Sequence, residues 1–425
     1  MDARQERGIA IAQTQTLTQR GSSWLVPSQS NGNRYVVFPD KDNPRCTCPD
    51  HVEGQYKCKH IFAVEFKMSR TTQETDANGT TTTTTETLTI KTTAERKTYQ
   101  QPSWPKYNAS QLNERSHFHD FLADLCQTLP ATPRKPGCGR KPISYRDGLF
   151  AAVLKVFSEK SARRFNGELE EAQERGLIEQ VPHFTSVLNV FDKEEVTPLL
   201  KSMIETTSLP LQAIESDFAI DSTGFSTTTY NQWLVNKHGA PKRCAKFVKA
   251  HFCTGVKTNV VATVEIDHEH ANDTLFLSPL TERTAEIGFS ISEMSADAAY
   301  PSQQNFEAVN SAGGKFFPAF RSNTTGAVGG LFQKAYHSFC LNKEEYLSHY
   351  HKRSNVESTV SMIKRKFGDS VKAKNELAQK NEVYAKFVCH NLCVLIQEMY
   401  VQGIDPTFGK QTVQPSIGLK IFGTS

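Results

Sequence analysis

The stretch KFVKAHFCTGVKTNVVATVEID (246–267) decides the fold class. Both halves are rich in β-branched and aromatic residues, and they meet near Gly255. This pattern predicts two strands joined by a turn. Three further apolar segments predict additional strands, and they are ESDFAID (215–221), FSISEMSAD (289–297) and GKFFPAFRS (314–322).

Two long helical patterns follow these strands, NKEEYLSHYHKRSNVESTVSMIKRKFG (342–368) and VYAKFVCHNLCVLIQEMY (383–400). Strands followed by packed helices predict a mixed α/β domain over residues 209–402. The C-terminal tail, residues 403–425, carries no pattern that predicts structure.

The composition is that of a globular protein, with 38% hydrophobic and 22% charged residues in a chain of 425. That length has room for two or three domains. A membrane span needs roughly 18 consecutive apolar residues, which this sequence lacks, so we expect no membrane association. The N-terminal segment MDARQERGIAIAQTQT has no apolar signal-peptide core. A cytoplasmic location is therefore expected.

The net charge of +4 is too small to indicate nucleic acid, but the basic residues are clustered. The clusters are RKPGCGRKP (134–142), KSARR (160–164) and the segment from YHKRSN to IKRKFG (350–368). Clustered Lys and Arg suit contacts with phosphates, which favours DNA over the alternative of solvated helix faces. The candidate DNA contacts are Arg163, Arg164 and Arg140, the last suited to a minor groove.

The N-terminal half divides into three regions. Residues 20–67 predict a compact module of short strands, a cysteine cluster and an apolar run. Residues 68–104 are rich in threonine and predict a linker, although threonine also favours strands, so TETLTIKTT (85–93) is an alternative strand. Residues 105–208 predict a helical region that docks on DNA, with a helical spacer as the alternative.

Three of the ten cysteines lie within residues 46–58. Cys46, Cys48, Cys58 and His60 form a Cys-x-Cys and a Cys-x-His pair, and thiolate and imidazole are the usual ligands of structural zinc. His51 is a competing ligand.

Three acidic residues have the placement of catalytic carboxylates. Asp221 is predicted to end the strand FAID, Asp297 to end the strand ISEMSAD, and Glu357 to lie inside the long basic helix. Side chains at the carboxyl ends of neighbouring strands converge at one edge of a sheet. Three carboxylates there would hold two Mg²⁺ or Mn²⁺ ions for phosphoryl transfer.

A helix over residues 342–368 places Tyr350, Arg353, Glu357 and Lys364 on one face. Such a face can hold a metal and a phosphate backbone together, while the alternative is an exposed Arg–Glu pair of little energetic weight. Asp267, Asn272 and Asp273 lie near the predicted catalytic strands and are interpreted as loop residues.

Two resemblances follow from these residues. CTCPDHVEGQYKCKHIFAVEF (46–66) resembles a SWIM-type zinc finger. YHKRSNVESTVSMIK (350–364) resembles the Tyr-(2)-Arg-(3)-Glu-(6)-Lys signature of a large group of DDE transposases from insertion sequences. The contexts of the first two carboxylates, AIDSTGF (219–225) and SADAAY (295–300), and the segment YNQWLVNKHG (230–239) also resemble that group. The likeness covers roughly residues 105–400.

The resemblance implies a ribonuclease H-like core with Asp221, Asp297 and Glu357 as its catalytic residues. Such enzymes nick the ends of their element, and the freed 3′-hydroxyl then attacks target DNA. Tyr350, Arg353 and Lys364 would contact double-stranded DNA near the cut. A homodimer on DNA and association with the nucleoid are expected. The stretch between Phe320 and the long helix is too short for a large inserted β-domain, so a hairpin intermediate stays open.

Two alternatives to an active transposase remain. One is a DNA-binding regulator that keeps the fold without the chemistry, and the other is a nuclease that cuts without joining.

Overall fold

A computed structural model describes residues 3–29, 34–40, 42–54, 56–75, 81–87, 103–133, 142–227, 247–268 and 272–408. The chain forms two compact units, residues 1–101 and 102–425. None of the helices within the described ranges is long and apolar enough to cross a bilayer.

The N-terminal unit is a small antiparallel sheet with helices. Its elements are α1 (Ala3–Thr14), β1 (Thr18–Arg20), β2 (Ser23–Pro27), β3 (Arg34–Phe38), β4 (Arg45–Cys46), α2 (Pro49–Gly54) and α3 (Lys59–Met68). The strands pair in the order β1-β2-β3-β4. Ile11 of α1 is buried in the same core as Val37 of β3 and Ile61 of α3. The packed module therefore begins before residue 20, the start predicted from the sequence.

Helices α1 and α3 approach closely at Gly8. A Cβ atom there would lie 2.6 Å from Phe62 Cβ and 2.7 Å from the Lys59 carbonyl oxygen. Glycine is therefore required at this position for the two helices to pack.

Part of the threonine-rich segment is paired rather than a structureless linker. Strands β5 (Ser69–Thr75) and β6 (Thr81–Thr87) form an antiparallel ladder with Ser69 opposite Thr87. The linker prediction for 68–104 is wrong for these residues, because β-branched threonine favours extended backbone. The strands pair with each other and not with β1–β4, and residues 88–100 lie outside the described part.

The C-terminal unit is built on a five-stranded mixed sheet. Its strands are β7 (Asp217–Ser226), β8 (Phe247–Gly255), β9 (Val261–His268), β10 (Glu293–Ala296) and β11 (Lys315–Pro318). They lie in the order β11-β10-β7-β8-β9, with β8 antiparallel to both neighbours and β7, β10 and β11 parallel. The two-strand prediction for 246–267 is confirmed, with a turn between Gly255 and Val261.

Asp221 does not end its strand as predicted. Strand β7 continues to Ser226, because its second half pairs with β8, where Asp221 lies opposite Phe252 and Ser226 opposite Phe247. The parallel ladder with β10, in contrast, ends at Ala219.

Eleven helices of this unit lie in its described residues. They are α4 (Trp104–Gln127), α5 (Tyr145–Ser158), α6 (Asn166–Glu174), α7 (Phe184–Leu188), α8 (Val196–Ser208), α9 (Thr274–Glu286), α10 (Gln303–Ser311), α11 (Gly330–Leu341), α12 (Lys343–Tyr350), α13 (Ser354–Phe367) and α14 (Glu376–Gln402).

The sheet separates two hydrophobic cores. Alternate residues of β7 face opposite sides, so Ala219 packs with α4, α5, α8, α13 and α14, while Phe218 and Ile220 pack with α9, α10 and α11. The helices of the predicted region 105–208 therefore share one core with the sheet.

The single long helix predicted over 342–368 is interrupted. Helix α12 ends at Tyr350, a 3-10 turn covers His351–Arg353, and α13 begins at Ser354. Glu357 consequently lies in the first turn of α13 and not inside a continuous helix.

The connection between β11 and α12, which is described throughout, contains a short 3-10 turn and helix α11 but no strand. It holds no inserted β-domain, as the sequence predicted. Of the C-terminal tail, residues 403–408 are described, and Phe408 is buried there with its amide donating to Asp124 Oδ2.

Candidate active site and metal centre

Asp221 lies in β7, and Asp297 directly follows the neighbouring parallel strand β10. Glu293 is opposite Asp217 and Ser295 is opposite Ala219, and continuing this register by two residues places Asp297 opposite Asp221. Neighbouring strands are about 4.8 Å apart. Both carboxylates are therefore placed at the same end of the two strands, close enough for their charges to interact.

Asp221 is held by one backbone and one cationic group. Its Oδ1 accepts a hydrogen bond from the Ser222 amide at 2.9 Å, and its Oδ2 accepts one from Arg353 Nη2 at 2.7 Å. Both side chains of the ion pair are only 17% exposed. Burial raises the pKa of Asp221 against the lowering effect of Arg353, and the charges of Asp297 and Asp273 raise it further. The site accumulates negative charge that a cation must offset.

Asp297 directly follows β10, as predicted. Its Oδ1 accepts a hydrogen bond from the Ala299 amide at 2.7 Å, which fixes the carboxylate at the start of the loop to α10.

Glu357 is connected to Asp221 through Arg353, which contacts both carboxylates. Arg353 Nη1 lies 3.7 Å from Glu357 Oε1, and the Glu357 side chain is 74% exposed. Among the described residues, Asp221, Asp297 and Glu357 do not form a group with ligand atoms close enough to share one ion. Arg353 instead occupies the position between the first and third carboxylates.

The donor set nevertheless suits Mg²⁺ or Mn²⁺, because all three residues offer hard oxygen ligands. Two of them lie in β7 and directly after its parallel neighbour β10, and the third, Glu357, is an exposed side chain. The donor chemistry therefore fits a divalent ion, and Arg353 is the cation that now contacts Asp221.

The other two residues of the predicted helix face lie apart from this cluster. Tyr350 is the partly buried last residue of α12. Lys364 is partly buried with its Nζ 5.5 Å from the centre of the Phe225 ring, and burial lowers its pKa.

Sequence reasoning missed the part played by Asp273. This residue directly precedes α9, where Lys249 Nζ lies 2.7 Å and His251 Nδ1 3.2 Å from its Oδ1. Burial lowers the pKa of His251 to about 4. The charge of Asp273 raises the pKa of the buried Tyr300, a residue in the SADAAY segment, as it does that of Asp221. An acidic residue next to a helix start was the available signal.

The remaining loop interpretations have mixed outcomes. Asp267 lies within β9, so the loop interpretation is wrong for it. Asn272 lies before α9, and its Oδ1 accepts from the Thr274 amide.

The basic residues of the helical region are placed at its surface where they are described. Arg163 and Arg164 are exposed in the turn before α6, and the Arg163 guanidinium lies 5.2 Å from the Phe184 ring centre. Arg140 lies outside the described residues, as does the segment 230–239.

The four predicted zinc ligands form a buried cluster in the N-terminal unit. The ligand atoms of Cys46, Cys48, Cys58 and His60 all lie within 4.8 Å of one another. His60 Nδ1 is 3.9 Å from both Cys46 Sγ and Cys58 Sγ. Zinc–sulfur bonds of about 2.3 Å give tetrahedral edges of about 3.7 Å, so these separations fit zinc.

Local contacts support the same set. His51 Nδ1 is engaged elsewhere, 2.8 Å from the Tyr56 carbonyl oxygen. His60 is therefore the better ligand of the two histidines.

Comparison with known proteins agrees with the geometry of the C-terminal unit. Residues 212–392 match the family model described as Transposase DDE domain. An uncharacterized protein of Aquifex aeolicus (strain VF5) is 25% identical over 286 residues, 64% of this chain and 84% of that protein. No solved structure matches the chain significantly. The matched range contains all five strands of the mixed sheet, and such a domain implies a ribonuclease H-like fold.

Proposed function

We propose that this chain, whose residues 212–392 match a transposase DDE domain, is a DDE transposase of insertion sequences that nicks DNA ends and joins them to target DNA. The catalytic carboxylates in this proposal are Asp221, Asp297 and Glu357. The position of Asp221 in β7 and of Asp297 directly after the parallel strand β10, with Arg353 connecting Asp221 to Glu357, is the observation that supports it best.

The three carboxylates would hold Mg²⁺ or Mn²⁺. When bound, the metal supplies an activated water or 3′-hydroxyl and stabilises the leaving oxygen. Asp221 and Asp297 would hold the ions from the sheet, and Glu357 would complete the site from the first turn of α13. Once released from Asp221, the Arg353 guanidinium is available to a DNA phosphate, which its planar fork binds bidentately.

The DNA contacts are proposed on the same basis. Tyr350 and Lys364 flank the Glu357 segment, and the exposed Arg163 and Arg164 of the helical region would contact the duplex backbone. Two subunits would act together on two DNA ends, in the cytoplasm. We assign the Cys46, Cys48, Cys58 and His60 cluster to a structural zinc ion in a SWIM-type finger, because all four ligands are buried and leave no open coordination position.

A cleavage and joining assay tests the proposal. Purified protein is mixed with DNA that carries the ends flanking its gene, with Mg²⁺ or Mn²⁺, beside Glu357→Gln. Glu344→Gln is the matched control, because Glu344 is an exposed glutamate on the neighbouring helix α12. We expect metal-dependent nicks and joined products from the wild type and the control, and neither from Glu357→Gln.

Other outcomes identify the alternatives. Nicks without joined product would indicate a nuclease. Binding to those ends without any cut would indicate a regulator that has the fold but not the chemistry.

A further inference from the structure

Lys352 is the centre of an ion-pair network on strands β7 and β10, which also carry or precede the proposed catalytic aspartates. Its Nζ donates to Asp217 Oδ2 and to Glu293 Oε2, each at 2.7 Å. His349 Nδ1 lies 2.8 Å from the other oxygen of Glu293, and its ring stacks on Phe317 with centroids 4.5 Å apart. The network therefore joins the end of α12 and the 3-10 turn to strands β7, β10 and β11.

The partners of Lys352 are aligned with the catalytic carboxylates. Asp217 and Glu293 are opposite each other in the parallel ladder, and each precedes its strand's carboxylate, Asp221 or Asp297, by four residues. Residues four apart on a strand share a face and lie about 13 Å apart. The Lys352 network thus lies on the same face of β7 as Asp221.

The 3-10 turn is consequently attached to β7 at two levels. Lys352 contacts Asp217, and the next residue, Arg353, contacts Asp221. Under the proposed function the Arg353 contact is temporary, since a metal ion on Asp221 competes with it. The Lys352 contacts involve no catalytic carboxylate, so they persist when metal binds.

Lys352 and Glu293 favour each other's charged form. Burial acts to lower the pKa of Lys352, but the hydrogen bonds to Asp217 and Glu293 outweigh it and raise the pKa. Burial acts to raise the pKa of Glu293, but the contacts with Lys352 and His349 outweigh it and lower the pKa. Partly exposed ion pairs contribute little net stability, whereas their geometry can specify one arrangement of the elements they join.

We propose that Lys352 is a positioning residue that holds the turn His351–Arg353, and with it Glu357, level with Asp221 and Asp297 so that the three carboxylates can bind metal together. This inference rests on the proposed function of the site. Lys352 itself binds neither metal nor DNA in this role.

The test compares Lys352→Met, Lys352→Arg and Lys201→Met with the wild type. Lys201 is a matched control, because it also donates twice to a carboxylate, that of Glu265, and is similarly exposed, at 31% against 33% for Lys352. Binding of Mn²⁺ is measured without DNA from the electron paramagnetic resonance of the unbound ion. The nicking rate is measured at saturating DNA.

A positioning role of Lys352 and a simple effect of its charge predict opposite changes in Mn²⁺ affinity. Removal of a nearby cation would by itself tighten Mn²⁺ binding, whereas misplacement of Glu357 weakens it. We expect Lys352→Met to bind Mn²⁺ about tenfold more weakly, with a correspondingly slower nicking rate and unchanged DNA affinity. Lys352→Arg should recover most of the affinity, because a guanidinium can also bridge two carboxylates. Lys201→Met should match the wild type.

Thermal unfolding shows whether each variant is folded at the assay temperature. If Lys352→Met is unfolded at that temperature, Glu293→Gln takes its place. Glu293→Gln weakens the same network while Asp217 remains, so it should also weaken Mn²⁺ binding. Wild-type Mn²⁺ affinity and nicking in the folded variant would overturn this inference alone. A wild-type protein that neither binds Mn²⁺ nor nicks DNA would overturn the proposed function and this inference with it.

Discussion

At the scale of single residues, Arg353 determines the state of the metal-free site. Its guanidinium forms an ion pair with the Asp221 carboxylate, whose burial opposes ionisation, and both side chains are largely removed from water. One residue thereby replaces the positive charge that a divalent ion would bring. Under the proposed function, a metal ion on Asp221 would compete with Arg353 for Asp221 Oδ2.

Arg353→Met should destabilise the metal-free protein by about 1–3 kcal/mol, because it leaves a partly buried carboxylate without its cation. The pKa of Asp221 should rise further. Added Mn²⁺ should restore more stability in this variant than in the wild type, since no arginine competes for Asp221. Thermal unfolding with and without Mn²⁺ measures both effects.

Arg175→Met is the control for this prediction, because Arg175 forms an ion pair with Asp120 in the helical region. Its response to Mn²⁺ should equal that of the wild type. An equal response from Arg353→Met would contradict the competition between arginine and metal.

Residues with a local sequence context were predictable, and residues defined by cross-strand pairing were not. Asp297 follows an apolar strand and precedes a turn, so its position at the strand end could be predicted. Lys352 and Asp273 act through partners that are distant in sequence, Asp217 and Lys249 respectively. Nothing in the local pattern around either residue indicates those partners.

At the scale of elements, helix α14 connects the parts that carry the proposed site. Asn391 accepts from the Val261 amide and donates to the Val261 carbonyl, which fixes the start of β9. Lys386 Nζ donates to the carbonyls of Gly368 and Ser370, directly after α13. The helix therefore orients both the hairpin next to β7 and the end of the Glu357 helix.

The same scale shows where sequence patterns failed. The β8–β9 pair was predictable because β-branched residues fill both strands. The break at His351–Arg353 was not, because a 3-10 turn between two helices keeps a nearly helical spacing of side chains. The extension of β7 past Asp221 could not be predicted, because the segment STGF reads as a turn although its residues pair with β8 through their backbone.

His390 of α14 should make the stability of the fold sensitive to acid. Burial lowers its pKa from 6.5 to about 4; Lys366 acts in the same direction and the hydrogen bond to the Asn259 carbonyl acts against it. The pKa of His390 is lower in the folded than in the unfolded protein. The stability that this residue contributes is therefore present above pH 6.5 and is lost as the pH falls toward 4. The free energy of unfolding should fall by up to about 1.4 kcal/mol per pH unit from this residue.

Urea unfolding at several pH values between 7 and 4.5 tests this prediction. His390→Gln should show a shallower pH dependence, whereas the exposed His337→Gln should retain that of the wild type. Equal slopes in all three proteins would show that His390 is not the source.

At the scale of the whole molecule, the chain consists of two compact units with separate cores. The N-terminal core is small, and its buried residues include Cys46, Cys48 and Cys58. In so small a unit a metal ion supplies folding free energy that the apolar core alone does not. The C-terminal unit has a far larger core, which includes none of these ligands.

Removal of zinc should therefore unfold only the N-terminal unit. Hydrogen exchange measured by mass spectrometry should become fast over residues 3–68 after chelation or in Cys48→Ser, and stay slow over residues 145–226. Cys340→Ser is the control, because Cys340 is exposed and lies outside the cluster. Slow exchange over residues 3–68 in a zinc-free protein would contradict a structural role for the ion.

The location of the catalytic metal is the most direct test of the whole account. Fe²⁺ bound in place of Mg²⁺ generates radicals with ascorbate and peroxide that cut the nearby backbone, and mass spectrometry maps the cuts. We predict cuts near Asp221, Asp297 and Glu357 that excess Mg²⁺ suppresses and that Asp221→Asn abolishes. Cuts elsewhere in the chain, or cuts that Mg²⁺ does not suppress, would contradict a metal site built from these three carboxylates.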